Sequence, residues 1–389
     1  MNIKKSVFVI FLLVAALLGG AATYGTMSMM HATGGSVGLG KMTISAEEYN
    51  QLTYMNDKYA KAEELWKLVQ KNFYQDITDE QIEEGMYKGI FQSTGDIYSS
   101  YMNEDEWKSW ESSMTGEFEG VGVTFQQNEK GEYVVLSTVK DSPAQKAGLL
   151  PGDILTKVDG EEYEDSTQMS MAIRGDSGTT VDVTYLRDGK ENTVTLTRTT
   201  IAVFSVESEM LEGNIGLIRI TSFDMQTAED FKTELKAMEA KGVKGLIIDL
   251  RNNGGGLVDQ SVQIADMLLD KGTVMYTEDR QGHREYTYSE EGRTSLPYVI
   301  LVNENSASAA EILSAAIKDN AGGKLVGTVT FGKGIIQNSA PLGNGTGYKL
   351  TVLQYFSPNG NKIHGVGVTP DYIVEGDDEQ LKKAIELLK

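Results

Sequence analysis

The chain has 389 residues, of which 40% are hydrophobic, so it is long enough for several modules and can bury a sizeable core. Its net charge of −21 argues against nucleic acid and anionic membrane surfaces as partners, because both are negatively charged. The absence of cysteine excludes disulfides, a lipid-modified cysteine and thiolate chemistry. With only three scattered histidines as well, we expect no metal site and no other cofactor.

Residues 1–30 predict a membrane anchor or signal segment. Lys4 and Lys5 precede an uncharged stretch over residues 7–22, which continues without charge to residue 30. A membrane-spanning helix needs about 17–25 apolar residues, and lysines on its short N-terminal side keep that end in the cytoplasm. We therefore expect a single span in the cell membrane with the rest of the chain outside the cytoplasm. The alternative is secretion after signal cleavage, since Gly20 and Ala22 form a small-x-small site.

A glycine-rich stalk follows at residues 31–44, and residues 45–113 predict an N-terminal helical region. Ser45 and Glu48 form a capping box that starts a helix running to about residue 72. A second helix, capped by Thr78, reaches about residue 92. The first helix carries an apolar stripe at helical spacing. Its members are Leu52, Met55, Tyr59, Ala62, Leu65, Val69 and Phe73. The stripe either packs on the chain's own core or supports self-association.

Residues 116–198 resemble a PDZ domain, a β-rich α+β module. A glycine loop at residues 120–123 precedes a strand, a second strand follows at residues 133–139, and residues 147–153 form an Ala-Gly-Leu-Leu-Pro-Gly-Asp turn. PDZ domains bind a peptide C-terminus as an added strand, and loop amides receive its carboxylate. The resemblance assigns that carboxylate site to Gly120, Val121, Gly122 and Val123. A PDZ fold that has lost ligand binding is the alternative.

Residues 175–178 spell Gly-Asp-Ser-Gly, the nucleophile motif of chymotrypsin-like peptidases. That mechanism needs a histidine base. The histidines are His31, His283 and His364. Since His31 lies in the stalk and no cysteines exist for the disulfides usual in that class, we interpret residues 175–178 as a turn between a helix and a strand at residues 180–186.

Strands and helices alternate after residue 200, which predicts an α/β domain over residues 200–375. A short C-terminal helix is expected over residues 376–389. The predicted strands of this α/β domain are residues 214–220, 245–250 and 296–302, and its predicted helices are residues 227–241 and 257–269.

The strand at residues 245–250 is a continuous apolar run with one carboxylate, which is typical of a strand buried on both faces. Glycines follow at positions 254–256, where the backbone would approach another group closely. Sites in such sheets lie beyond the carboxyl ends of the strands. The glycine turn therefore indicates part of a site, unless it serves only to reverse the chain.

Ser308 lies at a second strand-to-helix turn, between a strand at residues 298–302 and a helical segment at residues 309–317. A helix N-terminus stabilises an oxyanion, so the Ala309 amide is the natural first donor. A serine hydroxyl needs a base, and a buried lysine such as Lys333 can supply one if its pKa is lowered. The pair predicts a Ser-Lys hydrolase. In the alternative, Ser306 or Ser308 only caps the helix.

Residues 327–334 fit a phosphate-binding loop except at the last position, where Gly334 replaces the serine or threonine that holds Mg²⁺. The residues that follow, 335–337, are strand-like rather than helical. Nucleotide binding is therefore not favoured.

Four segments together resemble the C-terminal processing (tail-specific) serine peptidases. They are residues 245–256, Ser-Ala-Ser-Ala-x-Glu at 306–311, Phe-Gly-Lys-Gly-x-x-Gln at 331–337 and Gly-x-x-Pro-Asp at 367–371. The resemblance covers about residues 45–375. It implies that Ser308 is the nucleophile, that Lys333 is its general base and that Gln337 holds the lysine.

The same resemblance completes the oxyanion hole with Ala309 and either Gly254 or Gly255. The chain departs from the family at Gly254, often a proline in relatives, and at Ala310, often a third serine. Neither position supplies a reacting side chain. Because relatives often keep an N-terminal anchor and dimerise through N-terminal helices, the resemblance also implies an uncleaved anchor and a homodimer.

These observations predict an outward-facing, membrane-anchored serine endopeptidase that recognises the accessible C-terminal tails of protein or peptide substrates. The fold expected is an α/β catalytic domain with an inserted PDZ domain, an N-terminal helical region and one membrane span. A catalytically silent, membrane-tethered PDZ scaffold is the alternative function.

Overall fold

The computed structural model of the protein describes residues 45–128, 130–290 and 292–389, and it divides the chain into two units, which meet between Met86 and Tyr87. The helices are α1 Ala46–Asn72, α2 Asp79–Gln92, α3 Glu104–Thr115, α4 Pro143–Lys146, α5 Ser166–Ile173, α6 Thr227–Ala240, α7 Val258–Leu268, α8 Ala309–Asp319 and α9 Asp377–Leu387. The strands are β1 Ser100–Met102, β2 Glu117–Gly120, β3 Val123–Gln127, β4 Tyr133–Thr138, β5 Ile154–Val158, β6 Thr180–Arg187, β7 Lys190–Thr197, β8 Thr199–Ala202, β9 Val206–Leu211, β10 Ile215–Ile220, β11 Gly245–Asp249, β12 Gly272–Glu278, β13 Arg284–Ser289, β14 Tyr298–Val302, β15 Lys324–Gly327, β16 Ile335–Gly343, β17 Thr346–Phe356 and β18 Tyr372–Ile373.

Side-chain caps start the first two helices, as predicted. Before α1, the Ser45 N–H donates to Glu48 Oε2 at 2.7 Å and the Glu48 N–H donates to Ser45 Oγ at 3.1 Å. Before α2, Thr78 and Gln81 exchange the equivalent hydrogen bonds at 2.9 and 3.2 Å. Each pair satisfies backbone N–H groups that a helix start leaves without partners.

The apolar stripe of α1 does not pack into a core within the described residues. No residue of α1 is buried, and Leu65 and Val69 are 50% and 40% exposed. Over the same residues, no helix is both long enough and apolar enough to cross a membrane. The predicted span at residues 7–22, like the stalk at residues 31–44, lies outside the described part of the chain.

A six-stranded sheet forms the centre of the catalytic region, in the order β18-β15-β14-β11-β10-β9. All neighbouring pairs are parallel except β9 with β10. One face buries Ile248 and Ile300 in the core that includes residues of α6, α7 and α8, and the other buries Ile247 and Val299 against α9. The continuous apolar strands therefore arise from burial on both faces, as predicted.

A second, five-stranded sheet was not predicted from the sequence. Its order is β1-β17-β12-β13, and β16 pairs with β17. Because β1 pairs with β17, the region from residue 100 onward belongs with the catalytic sheets rather than with the preceding helices. Trp107 of α3 is buried against Gly347, where a Cβ atom would lie 2.0 Å from the indole ring. The predicted boundary of the helical region at residue 113 therefore differs from the observed division after Met86.

The predicted PDZ module contains a five-stranded antiparallel sheet, β3-β4-β5-β6-β7, with α4 and α5 packed on a core of its own. Strands β2 and β8 pair at the two ends of this module, where the chain enters and leaves it. Residues 175–178 connect α5 to β6 and form a turn, as predicted. The module is thus an insertion between β1 and the central sheet.

Candidate active site

The glycine turn and the serine turn lie at adjacent strand ends. Strand β11 precedes the glycine turn and β14 precedes the serine turn, and the two strands pair in parallel with Asp249 opposite Leu301. Parallel neighbours end at the same edge of a sheet, so the segments that follow them meet there. Both predicted elements of the site are therefore brought together by the fold.

Backbone and side-chain hydrogen bonds hold the two turns against each other. The Ser306 hydroxyl donates to the Leu250 carbonyl at 2.7 Å, and the Ala307 N–H donates to the Asn253 carbonyl at 2.9 Å. The Asn303 N–H in turn donates to Ser306 Oγ at 2.9 Å. Ser306 is thus occupied as a structural link, which leaves Ser308 as the serine available for chemistry.

Ser308 stands immediately before α8 with φ = 55°, in a region that residues other than glycine seldom adopt. Such a backbone conformation costs about 1–3 kcal/mol and persists where surrounding contacts impose it. The residue is 8% exposed. Functional sites are common places for strain of this kind, so the conformation favours a role beyond helix capping.

The carboxylate of Glu311, fully buried in the first turn of α8, joins the serine turn to the lysine loop. Its Oε2 accepts the N–H groups of Ser308 at 2.9 Å and Lys333 at 2.8 Å. Its Oε1 accepts the Gly332 N–H at 2.7 Å and the Thr330 hydroxyl at 2.6 Å. One side chain therefore fixes the backbone on both sides of the predicted Ser-Lys pair.

The Tyr355 hydroxyl of β17 makes a second link between the same segments. It lies 3.0 Å from the Ser308 carbonyl and 2.7 Å from the Lys333 carbonyl. The ring is completely buried. Burial raises the pKa of this phenol well above its ordinary value, so the hydroxyl keeps its proton as a donor.

Lys333 lies in the loop between β15 and β16, and its ammonium group lies over the Tyr98 ring, 4.8 Å from the centroid. Burial lowers the pKa of this amine below its ordinary value, and the charge of Lys349 lowers it further. Asp96 and Glu311 act in the opposite direction. Among the hydrogen bonds of the described residues, none joins Lys333 Nζ to Ser308 Oγ.

The hydrogen bond that Gln337 makes differs from the one that the extended pattern predicted. Its Nε2 donates to Thr351 Oγ1 at 3.1 Å, and no hydrogen bond from Lys333 to Gln337 is found among the described residues. The expectation relied on strand alternation between residues 333 and 337. Strand β16 begins only at Ile335, so the alternation does not extend back to Lys333. The register shift between Ile336 and Gln337 comes from an extra residue in β17, Val352. The bonded Nε2 nevertheless leaves Oε1 as an available acceptor.

The two candidate glycines have different surroundings. A Cβ atom at Gly255 would lie 2.7 Å from Ser308 Cβ and 3.0 Å from the Ala309 nitrogen, whereas one at Gly254 would meet nothing within 4 Å. The Gly255 N–H donates to Asn253 Oδ1 at 2.8 Å. The N–H groups of Ala309 and Gly254 have no acceptor among the described residues.

A groove of about 510 Å³ runs between β3 and α5 of the PDZ module. It is lined by the glycine loop at residues 120–123 and, from the helix side, by Ser170, Met171 and Arg174. Gly122 has φ = 74°, and a Cβ atom there would lie 2.4 Å from Ser142 Cβ. Glycine is therefore required at this position by both backbone conformation and space.

The segment that resembles a phosphate-binding loop does not lead into a helix. Residues 328–334 follow β15, and β16 begins at Ile335, as the sequence indicated. A phosphate loop needs the N–H groups at the start of a helix. In this chain the segment is instead the loop that carries Lys333.

Three family models match the chain. Peptidase family S41 matches residues 214–374, a PDZ domain matches residues 120–197, and the N-terminal domain of the activating protease CtpB matches residues 16–106. The carboxy-terminal processing protease CtpA of Bacillus subtilis is 36% identical over 351 residues, which are 89% of this chain and 73% of the relative. The chain belongs to the C-terminal processing serine peptidases of family S41.

Two further comparisons agree with this membership. A probable CtpA-like serine protease of Staphylococcus saprophyticus is 31% identical and is aligned over 96% of this chain and 74% of its own length. Among solved structures, the photosystem II D1 C-terminal processing protease has 27% identity and a TM-score of 0.50, covering 85% of this chain and 90% of its own. This S41 peptidase is thus a serine-type peptidase with a PDZ domain.

The S41 match contains Ser308, Lys333 and Gln337 within one segment, close to the predicted catalytic range of residues 200–375. Sequence reasoning did not find the supporting residues Glu311, Tyr355 and Tyr98. Glu311 carried a usable signal, because it is the one carboxylate among the apolar residues 309–317. Tyr98 and Tyr355 are brought to the site by the second sheet, which local patterns do not reveal.

Proposed function

We propose that this S41 peptidase cleaves peptide bonds with Ser308 as nucleophile and Lys333 as general base. The observation that carries the proposal is the Glu311 carboxylate, which ties the backbones of Ser308 and Lys333 to one buried group. The strained backbone at Ser308 and the lowered pKa of the Lys333 amine support the two roles.

In this mechanism the neutral Lys333 amine takes the proton from the Ser308 hydroxyl as the oxygen attacks the scissile carbonyl. The C–N bond of the substrate then breaks, and the lysine returns the proton to the leaving amine. Water repeats the sequence on the acyl-enzyme and releases the new carboxyl end. Transfer requires Nζ within hydrogen-bond reach of Oγ, a contact that often forms only when substrate is bound.

The oxyanion would be held by the Ala309 N–H and a glycine-turn N–H. Ala309 begins α8, where the helix dipole adds to the effect of an N–H without an acceptor. We assign the second donor to Gly255 rather than Gly254, because Gly255 is the glycine packed against Ser308 and Ala309. Its N–H would have to exchange the Asn253 side chain for the oxyanion.

Gln337 is proposed to orient the lysine during the reaction. The hydrogen bond from its Nε2 to Thr351 fixes the amide, so that Oε1 can accept a hydrogen bond from an approaching amine. The role is one of orientation, because a carboxamide does not act as an acid or a base near neutral pH.

The PDZ module is proposed to recognise the substrate's C-terminal tail. The loop at residues 120–123 would receive the terminal carboxylate, since the N–H groups of Val121 and Gly122 have no acceptor among the described residues. The groove beside it, lined by Met171, would take an apolar terminal side chain. Proteins and peptides with accessible tails are then the substrates.

The lysines and the uncharged stretch of residues 1–30 support a single membrane anchor with the catalytic region outside the cytoplasm. The exposed apolar stripe of α1 supports a homodimer formed through N-terminal helices.

Alkaline extraction of membranes tests the proposed anchor, and the mass of the full chain in detergent tests the proposed dimer. A chain released by alkali would contradict the anchor, and a monomer would contradict the dimer.

Tail recognition is tested with two polypeptides that differ only in ending with a carboxylate or an amide. Loss of a charge-assisted hydrogen bond costs about 1.5–3 kcal/mol, so kcat/KM should fall by about one to two decades for the amide. Met171→Asp should weaken cleavage of the carboxylate substrate, because it places a negative charge in the groove. Equal rates for both tails would remove the PDZ module from substrate recognition.

A further inference from the structure

The aromatic ring beneath the Lys333 ammonium comes from a distant part of the sequence. Tyr98 lies in the turn between α2 and β1, and its half-buried ring has the Lys333 Nζ over it at 4.8 Å. A cation within about 6 Å of a ring centroid is attracted by the negative face of the ring. This contact involves the protonated form of the lysine, since the neutral amine lacks the charge.

The turn that carries Tyr98 is itself fixed to the catalytic sheets. The Asp96 carboxylate accepts the Tyr98 N–H at 3.1 Å and the Ser99 hydroxyl at 2.6 Å. Ser99 Oγ accepts the Thr351 N–H at 3.0 Å, and Thr351 Oγ1 accepts the Gln337 amide. The position of the ring is therefore set by hydrogen bonds that also reach Gln337.

We propose that Tyr98 is a positioning residue for Lys333. In the resting enzyme, the Tyr98 ring holds the protonated amine of Lys333. The inference rests on the proposed role of Lys333 as the base. When the proton leaves to solvent, the attraction to the ring disappears, and the neutral amine is free to approach the Ser308 hydroxyl.

The Tyr98 ring and the charged groups around Lys333 each favour either the protonated or the neutral form of its amine. Asp96 in the same turn and Glu311 in α8 favour the ammonium form, whereas burial and Lys349 in β17 oppose it. The ring acts with the two carboxylates, because it attracts the cation. Removal of the ring should therefore make the amine lose its proton at lower pH.

The test is the pH dependence of kcat/KM in the full chain for Tyr98→Leu, with Tyr98→Phe as the matched control. We expect the midpoint of the acid limb to move to lower pH by about half to one unit in Tyr98→Leu, the range that corresponds to a partly buried cation–π contact. Tyr98→Phe should keep the wild-type midpoint, since it retains the aromatic face. If Tyr98→Leu does not fold, Tyr98→Met takes its place.

A second readout does not depend on turnover. The rate of trace acetylation of each lysine, measured against pH by mass spectrometry, gives the pKa of Lys333 directly, and it should fall in Tyr98→Leu but not in Tyr98→Phe. Unchanged values in both variants, or equal shifts in both, would overturn the inference. Full activity in Lys333→Ala would instead refute the proposed base, while the acetylation profiles would still report on Tyr98.

Discussion

The Oε2 atom of Glu311 accepts the backbone N–H of Lys333 at 2.8 Å while the same carboxylate oxygen accepts the N–H of Ser308 at 2.9 Å. The carboxylate is completely buried, and its other oxygen is also occupied by two donors. A buried carboxylate with four donors is both stable and directional. The relative placement of nucleophile and base therefore depends on a residue that does not itself react.

Glu311→Gln should damage both stability and turnover. The amide NH₂ replaces one acceptor oxygen, so one pair of donors loses its partner, which costs about 2–3 kcal/mol of unfolding free energy. A displacement of about 1 Å between reacting groups would reduce kcat about 100-fold. Urea denaturation and steady-state kinetics measure the two effects. Glu304→Gln is the control, since Glu304 is exposed and should change stability by less than about 0.5 kcal/mol. A wild-type kcat in Glu311→Gln would contradict the role of Glu311 in placing Ser308 relative to Lys333.

Gly255→Ala should lose most of its activity, whereas Gly254→Ala should retain it. Gly255 has φ = 98°, and its added Cβ would meet the Ala307 carbonyl and Ser308 Cβ at 2.7 Å each. We expect a loss of about two orders of magnitude in kcat, because the serine or the oxyanion amides must move. Gly254 has open space and no positive φ, so its alanine variant should retain most activity. Comparable activity of the two variants would refute the assignment of Gly255.

The charges near Lys333 should shift the acid limb of the pH–rate profile in opposite directions. Removing the positive charge in Lys349→Met favours the ammonium form and should move the limb to higher pH. Removing the negative charge in Asp96→Asn disfavours the ammonium form and should move it to lower pH. The pH dependence of kcat/KM measures both. Shifts of the same sign would show that another group controls the limb.

Asp249 at the end of β11 should reveal how the glycine turn is anchored. The carboxylate is 1% exposed and pairs with Arg251 at 2.8 Å and Arg219 at 3.1 Å. Arg251→Met should cost about 3 kcal/mol, because it leaves a buried charge with one partly exposed partner. Arg219→Met should cost about 1 kcal/mol or less, since Arg219 is 43% exposed and the bonds from Arg251 remain. Urea midpoints at pH 7 should follow this order, and the reverse order would contradict it.

The pairing of Asp249 with Arg251 also predicts that the free energy of unfolding falls at acid pH. Burial opposes ionisation of Asp249, yet hydrogen bonds and the charge of Arg251 hold its pKa below the ordinary value. A folded pKa below the unfolded one adds stability above about pH 4, which is lost as the pH falls through the folded value. The stability gap between the wild type and Arg251→Met should therefore narrow in acid.

Local sequence patterns were sufficient for the elements that carry the site. The strand at Gly245–Asp249, the helix at Ala309–Asp319 and the turns between them follow from hydrophobic runs, glycines and helix composition. The antiparallel sheet of β1, β12, β13, β16 and β17 was not predicted, because its pairings join residues far apart in sequence. That sheet brings Thr351 and Tyr355 to the site and supports the Tyr98 turn.

The hydrogen bond of Gln337 to Thr351, rather than to Lys333, has a local cause. A residue spacing of four predicts a common face only in an uninterrupted strand, and β16 starts at Ile335, after Lys333. The choice between Gly254 and Gly255 likewise depended on packing against Ser308, which the sequence does not contain.

The central claim, a serine nucleophile activated by a lysine, is tested most directly by covalent trapping. The full chain and its Ser308→Ala, Lys333→Ala and Lys333→Arg variants would be treated with a serine-directed fluorophosphonate across a pH series, and the adduct located by mass spectrometry. We predict a single adduct on Ser308 whose rate rises with pH in the wild type, and almost no labelling in any variant, since a guanidinium cannot act as a base in this range. An adduct on another residue, or labelling of Lys333→Arg at the wild-type rate, would contradict the account.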